Sequence, residues 1–293
     1  MKELTIISGK GGTGKTSITA SFAALARKKV IVDADVDAAD LHLVIPPTVK
    51  KTTDFAGGCI AVIDPERCTE CGECRERCRF DAISEDFVVN KIACEGCGVC
   101  VYFCPVGAID FPQQICGQWF VSDTACGPMI HARLGIAEEN SGLLVSLLRN
   151  QAKEMAESEN HELLLVDGPP GIGCPVISSL TGSSAVLVIT EPTLSGLHDL
   201  KRVNELARFL KVPAMASINK WDINPEMAEN IRTYARDSDM TYVGDIPYDK
   251  DMTAAMVDQK ALVNFSDGPA AQAIRDVWKN VAQFMELKDD GGD

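Results

Sequence analysis

Cysteine placement constrains this chain more than any other feature. Cys68, Cys71, Cys74 and Cys78 follow the spacing C-x2-C-x2-C-x3-C, and Cys94, Cys97, Cys100 and Cys104 repeat it 26 positions later, the last followed by Pro105. The repeat extends past the thiols, since Phe80-Asp81-Ala82-Ile83 matches Val106-Gly107-Ala108-Ile109. Three close thiolates and a more distant fourth make the ligand pattern of a [4Fe-4S] cluster. An all-cysteine zinc site needs two separated C-x2-C pairs per metal instead. Two clusters in a small domain are therefore expected. Cys78 is followed by Arg79 rather than proline, which weakens the turn after that ligand but leaves the ligand set whole.

The doubled run resembles that of bacterial two-cluster ferredoxins, where the fourth cysteine of each run crosses to the other cluster. The resemblance implies one cluster on Cys68, Cys71, Cys74 and Cys104, and a second on Cys94, Cys97, Cys100 and Cys78. The extent of the cysteines and the Gly57-Gly58 pair bound this inserted 2[4Fe-4S] domain at residues 53–117. Residues 1–52 and 118–293 then form one discontinuous domain.

That larger domain opens on the apolar run Leu4-Thr5-Ile6-Ile7, followed by Gly9-Lys10-Gly11-Gly12-Thr13-Gly14-Lys15-Thr16. This is a P-loop, G-x4-G-K-[ST], with a strand before it and a helix after it, the helix marked by Ile18, Phe22 and Leu25 on one face. Its glycines let backbone N–H groups surround phosphate oxygens at a helix N-terminus. Lys15 would reach the β- and γ-phosphates and the Thr16 hydroxyl would bind Mg2+.

Lys10, directly after the first glycine, makes the motif resemble the deviant Walker A of the MinD, ParA and Mrp ATPases and the nitrogenase iron protein. Val30-Ile31-Val32-Asp33-Ala34-Asp35, Leu163 to Gly171, and Ile189-Thr190-Glu191-Pro192-Thr193 with Ser195 to Asp199 resemble further motifs of that group. The resemblance implies a nucleotide-sandwiched dimer in which Lys10 touches the partner's phosphates. It also implies that Asp35 orients the attacking water and that Asp167 senses Mg2+. Asn219-Lys220-Trp221-Asp222 resembles the N-K-x-D of GTPases, but the other motifs favour ATP, with Asn219 and Asp222 near the base.

The remaining pattern alternates apolar runs with helical periodicity, which implies βα units. The expected fold is α/β, a mostly parallel P-loop sheet with helices on both faces, plus the small α+β ferredoxin-like insert. Strands are expected at 4–8, 30–33, 119–122, 163–167, 185–190, 214–219 and 242–246. Helices are expected at 15–26, 142–157, 196–210, 225–236, 249–258 and 269–286.

A net charge of −14 argues against direct nucleic-acid binding. No run of 18 apolar residues exists and no charged-then-apolar leader precedes the P-loop, so a cytoplasmic protein without membrane insertion is expected. The acidic tail Lys288 to Asp293 carries the wrong sign for an anionic lipid surface, against a membrane-positioning role. His42, His131, His161 and His198 show no ligand spacing. Arg75, Arg77 and Arg79 flank the first run and read as a solvated edge or a docking patch for an acidic electron carrier.

The combination implies an ATPase that couples dimer switching to electron transfer through two [4Fe-4S] clusters toward a redox or metalloprotein partner. The alternative resembles the Mrp group, an ATP-dependent assembly factor or carrier for iron–sulfur or other metal clusters. The dimer would be a homodimer or a heterodimer with a related ATPase. Four cysteines, Cys59, Cys116, Cys126 and Cys174, lie outside the runs. Cys174 follows the switch segment at an offset similar to a cluster ligand of the nitrogenase iron protein. It is expected to be a buried free thiol or, alternatively, a ligand at the dimer interface.

Overall fold

The computed structural model describes residues 1–135 and 141–287; the acidic tail at 288–293 lies outside them. From the N-terminus run β1 (Lys2–Ser8), α1 (Lys15–Leu25), β2 (Lys29–Asp33), α2 (Leu41–Val44) and β3 (Thr48–Cys59). The middle of the chain holds β4 (Val62–Ile63), α3 (Glu73–Glu76), α4 (Val99–Phe103) and β5 (Ile109–Asp110). Then come β6 (Gln113–Thr124), β7 (Gly127–Leu134), α5 (Ser141–Ser158), β8 (Leu163–Pro170), α6 (Cys174–Leu180), β9 (Ala185–Thr190) and α7 (Leu194–Phe209). The last part comprises β10 (Ala214–Asn219), a 3-10 turn (Trp221–Ile223), α8 (Pro225–Asp237), β11 (Thr241–Ile246), α9 (Asp251–Val257), α10 (Leu262–Phe265) and α11 (Pro269–Phe284).

Nine strands form one sheet in the order β11-β10-β9-β1-β8-β2-β7-β6-β3. Strand β1 pairs in parallel with β8 on one side and β9 on the other, and β9 with β10, β10 with β11, and β2 with β8 and β7 pair the same way. Central strands such as Ala-Val-Leu-Val-Ile-Thr of β9 and Ala-Met-Ala-Ser-Ile-Asn of β10 are buried at every residue. Near-continuous burial is what a parallel sheet covered on both faces requires. One covering layer holds Phe22, Leu262, Ile274 and Val277, and the other Val176, Leu200, Val203 and Ile231. The α/β fold expected from the sequence is present.

Local signals set the helix starts. Thr193 caps α7 by accepting from the Gly196 N–H at 2.9 Å, and Asn224 caps α8 by accepting from the Met227 N–H at 3.1 Å; Pro225 and Pro269 sit where a missing N–H costs nothing. The largest departures from the expected strands lie on one side of the sheet. Residues 119–122 belong to a much longer β6, and β3 and β7 were not expected at all. Helix α6 was also unexpected, while the helix expected at 249–258 is trimmed to α9.

The chain divides into two compact units. The larger contains Met1–Thr52, Trp119–Arg133 and the chain from Ser141 onward; the smaller contains Thr53–Gln118 and a short stretch from Leu134. Inside the smaller unit, β4 and β5 pair antiparallel over a core of Ala61, Cys74, Ile83 and Ile109. Gly72 and Gly98 precede α3 and α4 in the left-handed conformation, at φ 83° and 73°. They are 26 positions apart in the sequence, so the repeat is structural as well as chemical. Among the described residues no helix is long and apolar enough to cross a membrane.

Candidate functional site

In the larger unit, β1 ends at Ser8 and the P-loop turns from it into α1. Gly14 caps that helix at φ 85°, and a Cβ there would lie 2.4 Å from Asn219 Nδ2. Glycine thus meets both a backbone and a space requirement. Asn219 Nδ2 donates to the Thr13 carbonyl at 2.8 Å, and Asn219 Oδ1 accepts from the Lys220 N–H at 3.0 Å. Asn219 therefore braces the loop.

Lys15, only 5% exposed, lies between two carboxylates, 3.0 Å from Asp167 Oδ1 and 3.5 Å from Asp35 Oδ2. Burial works to lower its pKa, but Asp167 and Asp35 outweigh it and hold the ammonium above its usual value. Thr16 donates to Asp167 Oδ2 and Thr19 to Asp167 Oδ1, both at 2.8 Å. Lysine, hydroxyl and carboxylate, the groups that handle phosphate and Mg2+ in phosphoryl transfer, thus converge at the carboxyl ends of β1, β2 and β8. Ligands of open α/β sheets bind in that crevice.

A third carboxylate, not singled out from the sequence as a site residue, completes the group. Asp33 is fully buried and accepts from the Leu41 and Asp35 N–H groups at 3.2 and 3.3 Å. Burial first, and then the charge of Asp167, push its carboxyl well above the usual range. Burial likewise raises Asp35 to about 6, against the opposing pull of Lys15.

A cavity of about 440 Å3 adjoins this cluster, with Lys15, Thr16 and Asp35 at one end and Pro247, Tyr248, Met252 and Met256 at the other. Its size and mixed lining suit a small ligand. Asp222 does not line it; its Oδ1 accepts from the Tyr248 N–H at 2.7 Å and so shapes the wall that Tyr248 presents. Lys10 does not line it either. Its Nζ lies 3.2 Å from Glu191 Oε2. Cys174 is exposed, which corrects the expectation of a buried thiol. It starts α6.

The acidic cluster carries a pH signature. Between the ordinary carboxyl value of 3.8 and about 6, the folded chain keeps a proton on Asp35 that the unfolded chain has lost. Stability from this group is therefore present at low pH and lost as pH rises through about 6. Asp35→Asn should stabilise the nucleotide-free protein at pH 7.5 by roughly 1–2 kcal/mol after allowing for solvent screening, and the gain should fall by roughly half at pH 5 and vanish only below about pH 4. Urea unfolding at these pH values reads it; a gain independent of pH would contradict the assignment.

In the smaller unit the eight run cysteines line two cavities. One is bounded by Cys68, Cys71, Cys74 and Cys104, with Phe87, Val106 and Ile109. The other is bounded by Cys78, Cys94, Cys97 and Cys100, with Phe80, Ile83 and Phe111. Each set takes three thiols from one run and the fourth from the other. The fourth thiols are treated alike, Cys78 Sγ accepting from the Ala82 N–H at 3.4 Å and Cys104 Sγ from the Ala108 N–H at 3.2 Å. Burial raises the Cys74 and Cys100 thiols, each with two thiols of its own run adding to the rise. Among the described residues no three His, Cys, Asp or Glu side chains are placed to hold a single metal ion. An all-cysteine zinc site draws two C-x2-C pairs to one metal, whereas three thiols of one run with one of the other is the cluster pattern. The donor set and its apolar setting fit a cluster. Arg77 pairs with Glu73 at 2.8 Å and lies 4.1 Å over the Phe103 ring, so it is not a free charge.

An uncharacterized protein of Methanocaldococcus jannaschii is 33% identical over 287 residues, covering 97% of each chain. Pyruvate synthase subunit PorD of the same organism is 38% identical over 52 residues, 16% of this chain and 60% of that subunit. Among solved structures, the septum site-determining protein MinD from Pyrococcus horikoshii, complexed with Mg-ADP, superposes with a TM-score of 0.59 at 17% identity, covering 99% of both chains. That likeness shows the fold. The description "CobQ/CobB/MinD/ParA nucleotide binding domain" matches residues 4–263, and with the P-loop cluster at the sheet's carboxyl edge, the chain belongs to that family.

Proposed function

We propose that this protein is an ATPase whose nucleotide-driven dimerisation controls electron transfer from two [4Fe-4S] clusters in its insert to a redox or metalloprotein partner. The observation that carries the reading is the crossed cysteine sets in a chain that also has the Lys15–Asp167–Thr16 cluster. Bound in the two cavities, the clusters supply one-electron redox couples, with potentials set by charge, exposure and N–H bonds to sulfur. Ala82 and Ala108 provide two such bonds.

The chain's own groups have defined tasks at the nucleotide. Loop N–H groups and Lys15 hold the β- and γ-phosphates, and Thr16 with Asp167 holds Mg2+. Asp35, its carboxyl raised to about 6, orients the attacking water at neutral pH. Lys10 reaches the phosphates of the second copy. Pro169, Pro170 and Gly171, at and just past the end of β8, let the segment that follows move with the γ-phosphate. The base lies toward Tyr248 and Pro247, where Asp222 is already engaged by the Tyr248 N–H.

The test uses anaerobic, dithionite-reduced protein and follows the return of visible absorbance on adding an oxidised viologen. Mg2+ with a non-hydrolysable ATP analogue should change that rate at least threefold relative to Mg-ADP. Equal rates in both nucleotide states would refute the coupling.

A further inference from the structure

The pairing of Lys10 with its own chain has a partner that the resemblance did not supply. Glu191, the residue after β9, uses each carboxylate oxygen for a different lysine: Oε2 lies 3.2 Å from Lys10 Nζ and Oε1 lies 2.6 Å from Lys220 Nζ. The Lys220 ammonium also donates to the Gly12 carbonyl at 3.4 Å, so it bridges Glu191 to the P-loop. Lys10 has no second acidic partner among the described residues, and its side chain is 37% exposed against 15% for Glu191. Lys15 and Lys220 line the nucleotide cavity while Lys10 does not. It points to Glu191 instead.

Backbone packing fixes this arrangement. A Cβ on Gly9 would lie 2.2 Å from Asp199 Cβ, so the loop just before Lys10 rests directly on the first turns of α7. Ser8 Oγ donates to the Lys10 carbonyl at 2.8 Å and fixes the backbone at Lys10 itself. The β9–α7 segment that carries Glu191 is thus held against the P-loop whether or not the lysine side chain stays.

We propose that Glu191 is a positioning residue that parks Lys10 on its own chain and releases it when a nucleotide-bound second copy offers its phosphates. The proposal rests on the reading of Lys10 as the residue that crosses the dimer. Its logic is electrostatic. Burial alone would raise the Glu191 pKa, but the hydrogen bonds and charges of Lys220 and Lys10 bring it below the usual value, so the carboxylate is charged and attracts both lysines. A partly exposed ion pair is weak and opens readily. When Lys10 leaves, Lys220 still neutralises Glu191, so no buried charge is stranded, which is the costly outcome when an ion pair is broken. The latch therefore sets the threshold for dimerisation without locking it.

The experiment measures ATP hydrolysis against protein concentration, with sedimentation in Mg2+ and a non-hydrolysable ATP analogue, for the full-length parent, Glu191→Gln, Lys10→Ala and the double variant. Glu191→Gln should reach half-maximal rate at about tenfold lower protein concentration and dimerise correspondingly earlier. The double variant should behave as Lys10→Ala, with neither nucleotide-induced dimer nor concentration-dependent turnover. Should Glu191→Gln fold poorly, Glu191→Asp decides, since a carboxylate one methylene shorter cannot serve both lysines and should shift the threshold in the same direction. A parental or higher threshold in the folded variant overturns the latch while leaving the crossing role of Lys10 in place. If Lys10→Ala hydrolyses ATP at the parental rate, the crossing role itself falls, and the latch with it.

Discussion

Lys15→Ala should lower affinity for ATP at least about 100-fold, because it removes the charged donor that faces the β- and γ-phosphates. It should also weaken the fold. Lys15 is the counter-charge for Asp167 at 3.0 Å and Asp35 at 3.5 Å, with Asp33 fully buried beside them. Stripping this buried carboxylate cluster of the cation that pairs with it costs roughly 3–5 kcal/mol, enough to confuse lost binding with lost folding at neutral pH. The raised carboxyls provide the control. Asp35 already titrates near 6 with Lys15 present, and without Lys15 it rises further, so mild acid neutralises the cluster and restores stability. Calorimetric titration with Mg-ATP at pH 6, on material shown folded by circular dichroism, separates the two effects. Affinity within threefold of the parent would refute the role given to Lys15.

The central sheet could be read from the sequence because its strands are buried on both faces and are therefore runs of mostly apolar residues. Val30 to Asp33, Ala185 to Thr190 and Ala214 to Asn219 show it plainly. The other edge obeys a different rule. Strand β3 reads Thr-Val-Lys-Lys-Thr-Thr-Asp and is exposed along most of its length, so it has no apolar run to find. Strand β7 opens on Gly-Pro and carries His131, a buried polar side chain that shares a hydrogen bond with Ser122 at 2.9 Å and stacks on Phe120. Helix α6 spans seven residues and starts Cys-Pro, too short for a helical period to register. Within the site, the P-loop residues are local in sequence and could be nominated from spacing alone. Glu191 could not, because its meaning depends on Lys10, 181 positions away, and on the contact that brings β9 beside β1. Asp222 shows the reverse case, a motif position whose carboxylate is engaged by a backbone N–H.

The second large effect concerns the crossed cysteine sets and tests the central claim, that this ATPase carries two [4Fe-4S] clusters on ligands exchanged between its runs. Cavity lining groups Cys104 with the first run and Cys78 with the second. Substituting Cys68 and Cys104 together should therefore disable one cluster and spare the other. Substituting Cys68 and Cys78 together removes one ligand from each and should leave no intact cluster. If each run held its own cluster, the two variants would exchange outcomes. The decisive measurement is iron, zinc and acid-labile sulfide on anaerobically purified protein, with spectroscopic quantitation of intact clusters. The parent should hold about eight iron and about eight sulfide per chain, the Cys68/Cys104 variant about four of each in one intact cluster, and the Cys68/Cys78 variant no intact cluster. Zinc in place of iron, or the reverse pattern in the paired variants, would contradict the account.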